Sequence, residues 1–166
     1  HGFSRVSVWG FRQGARPRYS SVTRGSYIGI GPGAGSLFPG GFSLNTFDFD
    51  AWTAAASARR SPIALWLPFS SAMSGWWWLY WRLYETRVPA GELEATFGPG
   101  PSAVKARMLL AVAERLGLAV RHDEEYELTE PGAFWIHLAQ NYFALNYVNA
   151  LWTRARREPW PDRVPI

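Results

Sequence analysis

A glycine-rich stretch at residues 29–36 contains the residue types best suited to close contact with a ligand. In order, the stretch consists of Gly29, Ile30, Gly31, Pro32, Gly33, Ala34, Gly35 and Ser36. Because glycine has no Cβ, backbone amides in such a loop can approach a ligand closely. The same small residues could instead serve only the geometry of a tight strand exit. The sequence leaves both interpretations open.

The stretch also fits a Gly-x-Gly-x-x-Ala pattern, which raises the question of a dinucleotide site. Such a site requires a helix directly after the third small residue. Residues 37–41 are instead Leu, Phe, Pro, Gly and Gly, which do not form a helix. The pattern therefore argues against dinucleotide binding of this kind.

Residues 76–81, Trp-Trp-Trp-Leu-Tyr-Trp, form a second group with binding potential. They span more than one helical turn, so their rings must point in several directions. We expect Trp76 and Tyr80 to pack in the core. Trp77 and Trp81 are predicted to stack on a flat substrate.

Two arginines follow this aromatic group. Arg82 and Arg87 could pair with carboxylates of a substrate. The alternative is that they form surface ion pairs with Glu85 or Glu92. Both interpretations remain open.

Composition excludes several kinds of site. The 166 residues include no cysteine, so disulfides and thiolate metal ligands are excluded from the chain. His122 and His137 have no partner at metal-ligand spacing, and we expect neither catalytic nor metal-binding residues. No apolar run approaches the roughly 20 residues of a membrane span, and no membrane partner is expected. Because strand-like residues begin almost at His1, we expect a fragment of a longer protein.

The N-terminal part of the chain predicts strands and one short helix. Alternating polarity predicts a strand at residues 3–9, and a short apolar run predicts another at residues 26–31. Residues 37–50 are irregular or form a hairpin, and residues 50–60 predict a helix with Asp50 as its N-cap. A strand that ends in a glycine loop is typical of a ligand site on an α/β sheet or barrel.

The C-terminal part is predicted to be mostly helical. Ser70 or Ser71 caps a first helix, Gly98 ends a second, and Ser102 caps a third that ends at Gly117. Two short strands follow, and Thr129 caps a long final helix. This order predicts a winged-helix-like module.

Two apolar stripes are expected to face its core. In the third helix the stripe is Val104, Met108, Ala111, Val112 and Leu116. In the final helix it is Phe134, Leu138, Tyr142, Leu145 and Leu151.

A family resemblance connects these features. Residues 27–36, Tyr-Ile-Gly-Ile-Gly-Pro-Gly-Ala-Gly-Ser, resemble the segment that ends the catalytic barrel in the oxygen-independent coproporphyrinogen III oxidase family, commonly Tyr-Leu-Gly-Ile-Gly-Ala-Gly-Ala-His-Ser. The resemblance covers most of residues 5–150. Further similar motifs follow in the family's order at residues 82–88, 97–98, 116–118 and 128–132.

The resemblance implies a radical SAM parent enzyme, either an oxidoreductase such as coproporphyrinogen dehydrogenase or a methyltransferase. Its N-terminal barrel domain would bind a [4Fe–4S] cluster through Cys-x-x-x-Cys-x-x-Cys and cleave S-adenosylmethionine to a 5′-deoxyadenosyl radical. A cytoplasmic parent acting in porphyrin biosynthesis, on a tetrapyrrole or other polycyclic small molecule, is implied. Without cluster cysteines, this chain alone is expected to be inactive. The implied S-adenosylmethionine contacts are Gly29, Gly31, Gly33, Ala34, Gly35 and Ser36.

The expected fold class is therefore α+β, with terminal strands of a radical SAM α/β barrel followed by the winged-helix-like domain. We assign residues 1–50 to the last barrel strands and the glycine-rich loop. Residues 51–69 would form a connecting helix and linker, and residues 70–166 the helical domain that caps the substrate.

Two departures from the family limit the assignment. The heme chaperone branch carries His-Asn-x-x-Tyr-Trp before the glycine loop, whereas residues 18–24 here are Arg-Tyr-Ser-Ser-Val-Thr-Arg. Gly35 also replaces the family's histidine. Heme ligation is therefore disfavoured, and the sequence leaves the identity of the substrate open.

The alternative function is a stand-alone winged-helix-like module that binds nucleic acid or a protein. An acidic wing turn at residues 123–125 would repel phosphate, which disfavours nucleic acid. A basic cluster near the C-terminus is expected to dock against another domain or to face solvent. It consists of Arg154, Arg156, Arg157 and Arg163.

Overall fold

A computed structural model describes residues 2–14 and 25–162. The chain divides into two compact units. The loop unit comprises residues 25–69 and 141–162, and the helical unit comprises residues 2–14 and 70–140. Residues 18–24, which replace the chaperone motif, lie outside the described residues, as does Arg163.

The described residues form eight short strands, six α-helices and one π-helical turn. In chain order they are β1 (Phe3–Arg5), β2 (Phe11–Gln13), β3 (Gly35–Phe38), β4 (Gly41–Asn45), α1 (Phe49–Ser57), β5 (Ile63–Pro68), α2 (Ser71–Tyr84), β6 (Arg87–Pro89), α3 (Ala90–Phe97), α4 (Pro101–Arg115), β7 (Ala119–His122), β8 (Glu125–Leu128), α5 (Glu130–Phe143), a π-helical turn (Ala144–Val148) and α6 (Asn149–Arg157).

The loop unit contains the antiparallel sheet β3–β4–β5, with α1 between β4 and β5. The hairpin β3–β4 confirms one of the two interpretations of residues 37–50. The strand predicted at residues 26–31 is wrong, because only Tyr27 pairs there, as a single bridge to Leu37.

Strand β5 was not predicted, since the segment has prolines at both ends and no clear alternation. Asp48, and not Asp50, caps α1 by accepting from the amide of Ala51 at 2.7 Å.

The strands at the N-terminal end of the chain differ in pairing from the strands of an α/β barrel. An α/β barrel has parallel strands joined by helices, whereas β1–β2 and β3–β4 are antiparallel hairpins. A hairpin needs only a tight turn between its strands. The described residues close no barrel, and the fold is mixed α/β with small antiparallel sheets. The division into barrel, linker and capping domain stays a prediction.

The helical unit packs α2, α3 and α4 with the antiparallel sheet β6–β8–β7. The predicted caps are confirmed, because Ser70 Oγ accepts from the amide of Met73 and Thr129 Oγ1 from that of Gly132, both at 3.2 Å. Helix α4 instead begins after Gly100, with Pro101 in its first turn. Three helices, a two-stranded hairpin and a closing helix follow in the predicted order, and β6 is an additional strand.

The core of the helical unit uses the opposite face of α4 from the one predicted. Met108 is 62% exposed and Leu116 is 67% exposed, so the predicted stripe is wrong. Alanines allow the helix backbone to pack closely against its neighbours, and the buried face of α4 is therefore small rather than bulky. The core consists of Leu79, Val88, Leu93, Phe97, Ala103, Ala106 and Leu110.

The stripe predicted for the final helix is exposed as well. Helix α5 buries Gly132, Ala133 and Gln140. Four of the five residues expected in its core are between 40% and 65% exposed, namely Phe134, Leu138, Tyr142 and Leu145.

Two neighbouring leucines test which face of α4 is buried. Leu110 is 1% exposed, whereas Leu109 is 48% exposed. We expect Leu110→Ala to lower the free energy of unfolding by about 2–5 kcal/mol, because it removes buried methyl groups and leaves a cavity. Leu109→Ala should change it by about 0.5 kcal/mol. Urea unfolding monitored by circular dichroism measures both, and equal losses would contradict the assignment.

Candidate ligand site at the glycine-rich loop

The glycine-rich loop, residues 29–36, is held closed by buried side chains. The amide of Gly29 donates to Ser36 Oγ at 3.0 Å. The side-chain amide of Asn45 donates to the carbonyl oxygens of Gly31 at 3.0 Å and Gly29 at 3.4 Å. Ser36 and Asn45 are both buried, so water does not compete for these bonds. The loop therefore has a fixed conformation.

Three of its four glycines are required by close packing. A Cβ on Gly29 would overlap the carbonyl oxygen of Gly35. A Cβ on Gly33 would lie 2.8 Å from the ring of Phe47, and one on Gly35 would lie 2.6 Å from the ring of Phe42. These separations are too short for carbon atoms in contact. Packing within the loop unit accounts for small residues at these positions.

Gly31 is different, because the space beside it is open. Its φ is +111°, which side chains rarely adopt, and a Cβ there would meet no atom within 4 Å. Within residues 25–162, no hydrogen bond engages the amides of Ile30 and Gly31. Ile28 and Ile30 are strongly exposed. We call residues 28–31 the open side of the loop, and it presents two amide donors.

The six residues implied as S-adenosylmethionine contacts are thus unequally placed. Gly29 and Gly31 both lie on the open side, but Gly29, like Gly33, Gly35 and Ser36, serves the loop's own packing. The amide of Ala34 donates to the carbonyl of Gly31 at 3.3 Å, and its carbonyl accepts from Asn45 at 3.0 Å. Contact of these residues with the cofactor stays a prediction.

An aromatic pair and an arginine lie beside the loop, and the sequence did not predict them as a group. The ring of Phe47, which contacts Gly33, lies with its centroid 6.3 Å from that of Trp152. The guanidinium carbon of Arg156 is 5.7 Å from each ring centroid, within the range of cation–π attraction. The i, i+4 spacing of Trp152 and Arg156 is a sequence signal for their contact. No such signal links them to Phe47.

In the helical unit, the predicted substrate residues Trp77 and Trp81 belong to a network of aromatic rings. Both are half-buried. The ring of Trp81 packs edge-to-face against three neighbours. The distances between ring centroids are 6.0 Å to Trp77, 5.1 Å to Tyr80 and 5.5 Å to Tyr84. Trp76 instead packs on Phe97 at 5.2 Å in the core, which confirms its predicted structural role.

The network extends to Trp9 and His137. Trp9 lies 6.3 Å from Tyr84 and 4.5 Å from His137, measured between ring centroids. Trp81 Nε1 and His137 Nδ1 are shielded from solvent, and neither has a hydrogen-bond partner among the described residues. Polar atoms in this state are costly unless a further group binds them. The network therefore buries two polar atoms without a partner among the described residues.

Two tyrosines have raised pKa values. Burial raises the pKa of Tyr27 above its ordinary value. Burial, and secondly the nearby Tyr84, raises the pKa of Tyr80. Both phenols stay protonated at neutral pH, so neither is suited to act as a general base there.

The predicted carboxylate-binding arginines are engaged with the protein's own carboxylates. Arg82 pairs with Glu85 at 2.9 Å. Arg87 pairs with Glu125 at 3.4 Å and with Glu127 at 3.1 Å. A substrate carboxylate would have to compete with these groups. Their binding role stays a prediction.

Comparison with solved structures gives a likeness to coproporphyrinogen III oxidase (HemN) from Escherichia coli, which is described as a radical SAM enzyme. The TM-score is 0.50 at 14% sequence identity, and the match covers 68% of this chain. The chain spans about a quarter of that protein, since the match covers 26% of it. The sequence matches no protein-family model and no curated protein. The likeness concerns the fold alone.

Grouped metal-binding side chains and membrane-spanning helices are both absent from the described residues. Nowhere in residues 2–14 and 25–162 do three or more metal-binding side chains come together in a group that could hold a metal ion. Iron–sulfur clusters take cysteine ligands, and the chain has none; its residues do not fit such a cluster. Among the described helices, none has the length and apolar character needed to cross a membrane.

The close packing of the loop can be tested with Gly29→Ala. We expect it to lower the free energy of unfolding by about 1–3 kcal/mol, because the new Cβ collides with backbone that must shift. Gly25→Ala is the matched control, since a Cβ there meets no atom within 4 Å. Urea unfolding of both variants measures the difference. If Gly29→Ala is as stable as the wild-type chain, the loop is not packed as described.

Proposed function

We propose that the chain is the C-terminal part of a radical SAM enzyme related to coproporphyrinogen III oxidase. In this proposal the loop unit contacts S-adenosylmethionine, and the winged-helix-like helical unit closes over a porphyrin-related or other polycyclic substrate. The observation that carries the proposal is the fold likeness to HemN over 68% of the chain. The order of sequence motifs, from the glycine loop to residues 128–132, supports the same parent.

The geometry of the loop is compatible with the cofactor role. The open side presents the amides of Ile30 and Gly31, which can donate to ligand oxygen or nitrogen atoms. Among the described residues, no side chain fills the space beside Gly31. When bound, S-adenosylmethionine would supply the 5′-deoxyadenosyl radical, and the part of the loop that would hold it is residues 28–31. The iron–sulfur cluster would belong to another part of the parent, namely its N-terminal barrel domain.

The aromatic network supports a flat substrate. Trp77 and Trp81 are half-buried, so part of each side chain is exposed and able to stack on a ligand. This favours a planar molecule with apolar faces.

The alternative, a stand-alone binding module, divides into two cases. Nucleic acid is disfavoured because the exposed face of α4 carries Val104, Met108 and Val112 where phosphate contacts would require basic residues. The wing is acidic, and its Glu125 already pairs with Arg87. The same apolar face favours a protein surface as partner, and this fits a domain that packs against the rest of a larger enzyme.

The cofactor role can be tested with S-adenosylhomocysteine, a stable analogue. We expect saturating analogue to shift the backbone amide resonances of Ile30 and Gly31, because these donors have no partner within the loop unit. The amides of Gly91 and Gly98 in the helical unit are internal controls and should not move. Nuclear magnetic resonance of the labelled chain measures all four. Shifts confined to the helical unit, or none, would contradict the proposed role.

The substrate role can be tested with coproporphyrin, whose absorbance changes when it enters an apolar site. We expect Trp81→Leu to weaken binding by about two- to tenfold, because ring stacking is worth about 0.5–1.5 kcal/mol beyond buried area. Trp135→Leu is the control, since Trp135 is 57% exposed and pairs with Phe134 outside the network. Equal affinity of the two variants would argue against this substrate site.

A further inference from the structure

We propose that the exposed side of helix α4 binds an acidic amphipathic helix of a partner protein. We call this surface the α4 face, and it consists of Val104, Lys105, Met108, Val112, Arg115 and Leu116. None of these residues belongs to the proposed cofactor or substrate site, so the surface is separate from the proposed function.

The centre of the α4 face is an apolar stripe that is exposed to solvent. Val104, Met108, Val112 and Leu116 follow one another at intervals of four residues, and they are between 46% and 67% exposed. Side chains at this spacing form a continuous ridge, about 18 Å long for a helix that rises about 1.5 Å per residue. The opposite side of α4 is the one buried in the core. The stripe is therefore a surface that a second helix can cover.

Two cations lie near the ends of the stripe. Lys105 and Arg115 are exposed, and neither has an ion-pair partner within residues 2–14 and 25–162. At about 100° of rotation per residue, both lie on the same side of the helix as the stripe, whereas Glu114 lies on the other side. Arg107 also lies away from the stripe and pairs with Glu94 at 2.8 Å. The α4 face thus combines an apolar centre with a positive charge near each end.

This combination determines which helix fits. Helices pack by placing such ridges against one another, and an amphipathic helix that buries its apolar side on a partner is a common mode of recognition. Lys105 and Arg115 are ten residues apart, which is about 15 Å along the axis. A partner helix with two carboxylates at the same separation would form an ion pair with each of them.

Charge and polarity disfavour the other occupants. A second copy of this chain would bring its own Lys105 and Arg115 against the same two cations, and like charges repel. A nucleic acid would pair with the cations but leave the apolar stripe uncovered. An apolar centre with a charged rim is the usual arrangement at interfaces between separate proteins, which favours a partner protein.

The test uses two synthetic helical peptides that differ only in charge. Both carry leucines at intervals of four residues, flanked by two glutamates in one peptide and two lysines in the other, placed ten residues apart. Fluorescence anisotropy of the labelled peptides with the full chain gives both dissociation constants. We expect the acidic peptide to bind at least about tenfold more tightly, because two attractive contacts become repulsive in the basic peptide.

Variants of the chain locate the contact. Arg115→Gln should weaken the acidic peptide by about two- to fivefold. Arg107→Gln is the matched control, since it removes the same charge from another side of α4, and it should change nothing. Met108→Asp should weaken the acidic peptide by about tenfold or more, because it places a charge within the apolar stripe. Lys105→Glu combined with Arg115→Glu should make the basic peptide the tighter ligand, a reversal that misfolding cannot produce.

Several outcomes would overturn the proposal. Binding of neither peptide, or equal binding of both, contradicts the match of charges. If analytical ultracentrifugation shows a dimer that Met108→Asp dissociates, a second copy of the chain covers the α4 face. If the chain binds duplex DNA more tightly than the acidic peptide, and Arg115→Gln weakens that binding, the α4 face is a nucleic-acid surface.

Discussion

The close approach of the glycine-rich loop to the hairpin β3–β4 is the constraint on which the loop unit depends. Gly29 lies against the carbonyl of Gly35, and there is no room between them for a side chain. This contact allows Tyr27 and Leu37 to exchange backbone hydrogen bonds of 3.0 and 2.9 Å. Asn45 then closes the loop from beneath. With the loop closed in this way, the amides of Ile30 and Gly31 are left without a hydrogen-bond partner within residues 25–162.

Local signals in the sequence predicted the ends of elements well. Ser70 and Thr129 cap their helices as expected, because a cap depends on residues three positions apart in the chain. The buried faces of the helices were predicted wrongly. An apolar stripe indicates a helix, but it does not show which face packs against a neighbouring element. In α4 the core side chains are mostly alanines, whose small size gives a weak periodic signal. The bulky residues Met108 and Leu116 gave the stronger signal and face solvent.

The candidate site was predictable only where it is continuous in sequence. The glycine loop is a single stretch, and its residues were found, although packing rather than ligand contact accounts for most of them. Phe47, Trp152 and Arg156 come from separate elements, so only the fold places them together. Arg156 was assigned to a general basic cluster for the same reason. The aromatic network shows the same limit, because Trp9 and His137 join it from distant positions.

Arg87 of the helical unit and Arg156 of the loop unit differ in whether the protein's own carboxylates already pair with them. Binding a carboxylate at Arg87 would require displacing Glu125 and Glu127, and two nearby carboxylates would repel the newcomer. Exposed ion pairs of this kind contribute about 0–1 kcal/mol each, so displacement is feasible but brings little net gain. At Arg156 no described carboxylate has to leave, and the side chain is already restrained by two rings. Among the described residues, Arg82 and Arg87 are thus paired with glutamates, whereas Arg156 contacts two aromatic rings.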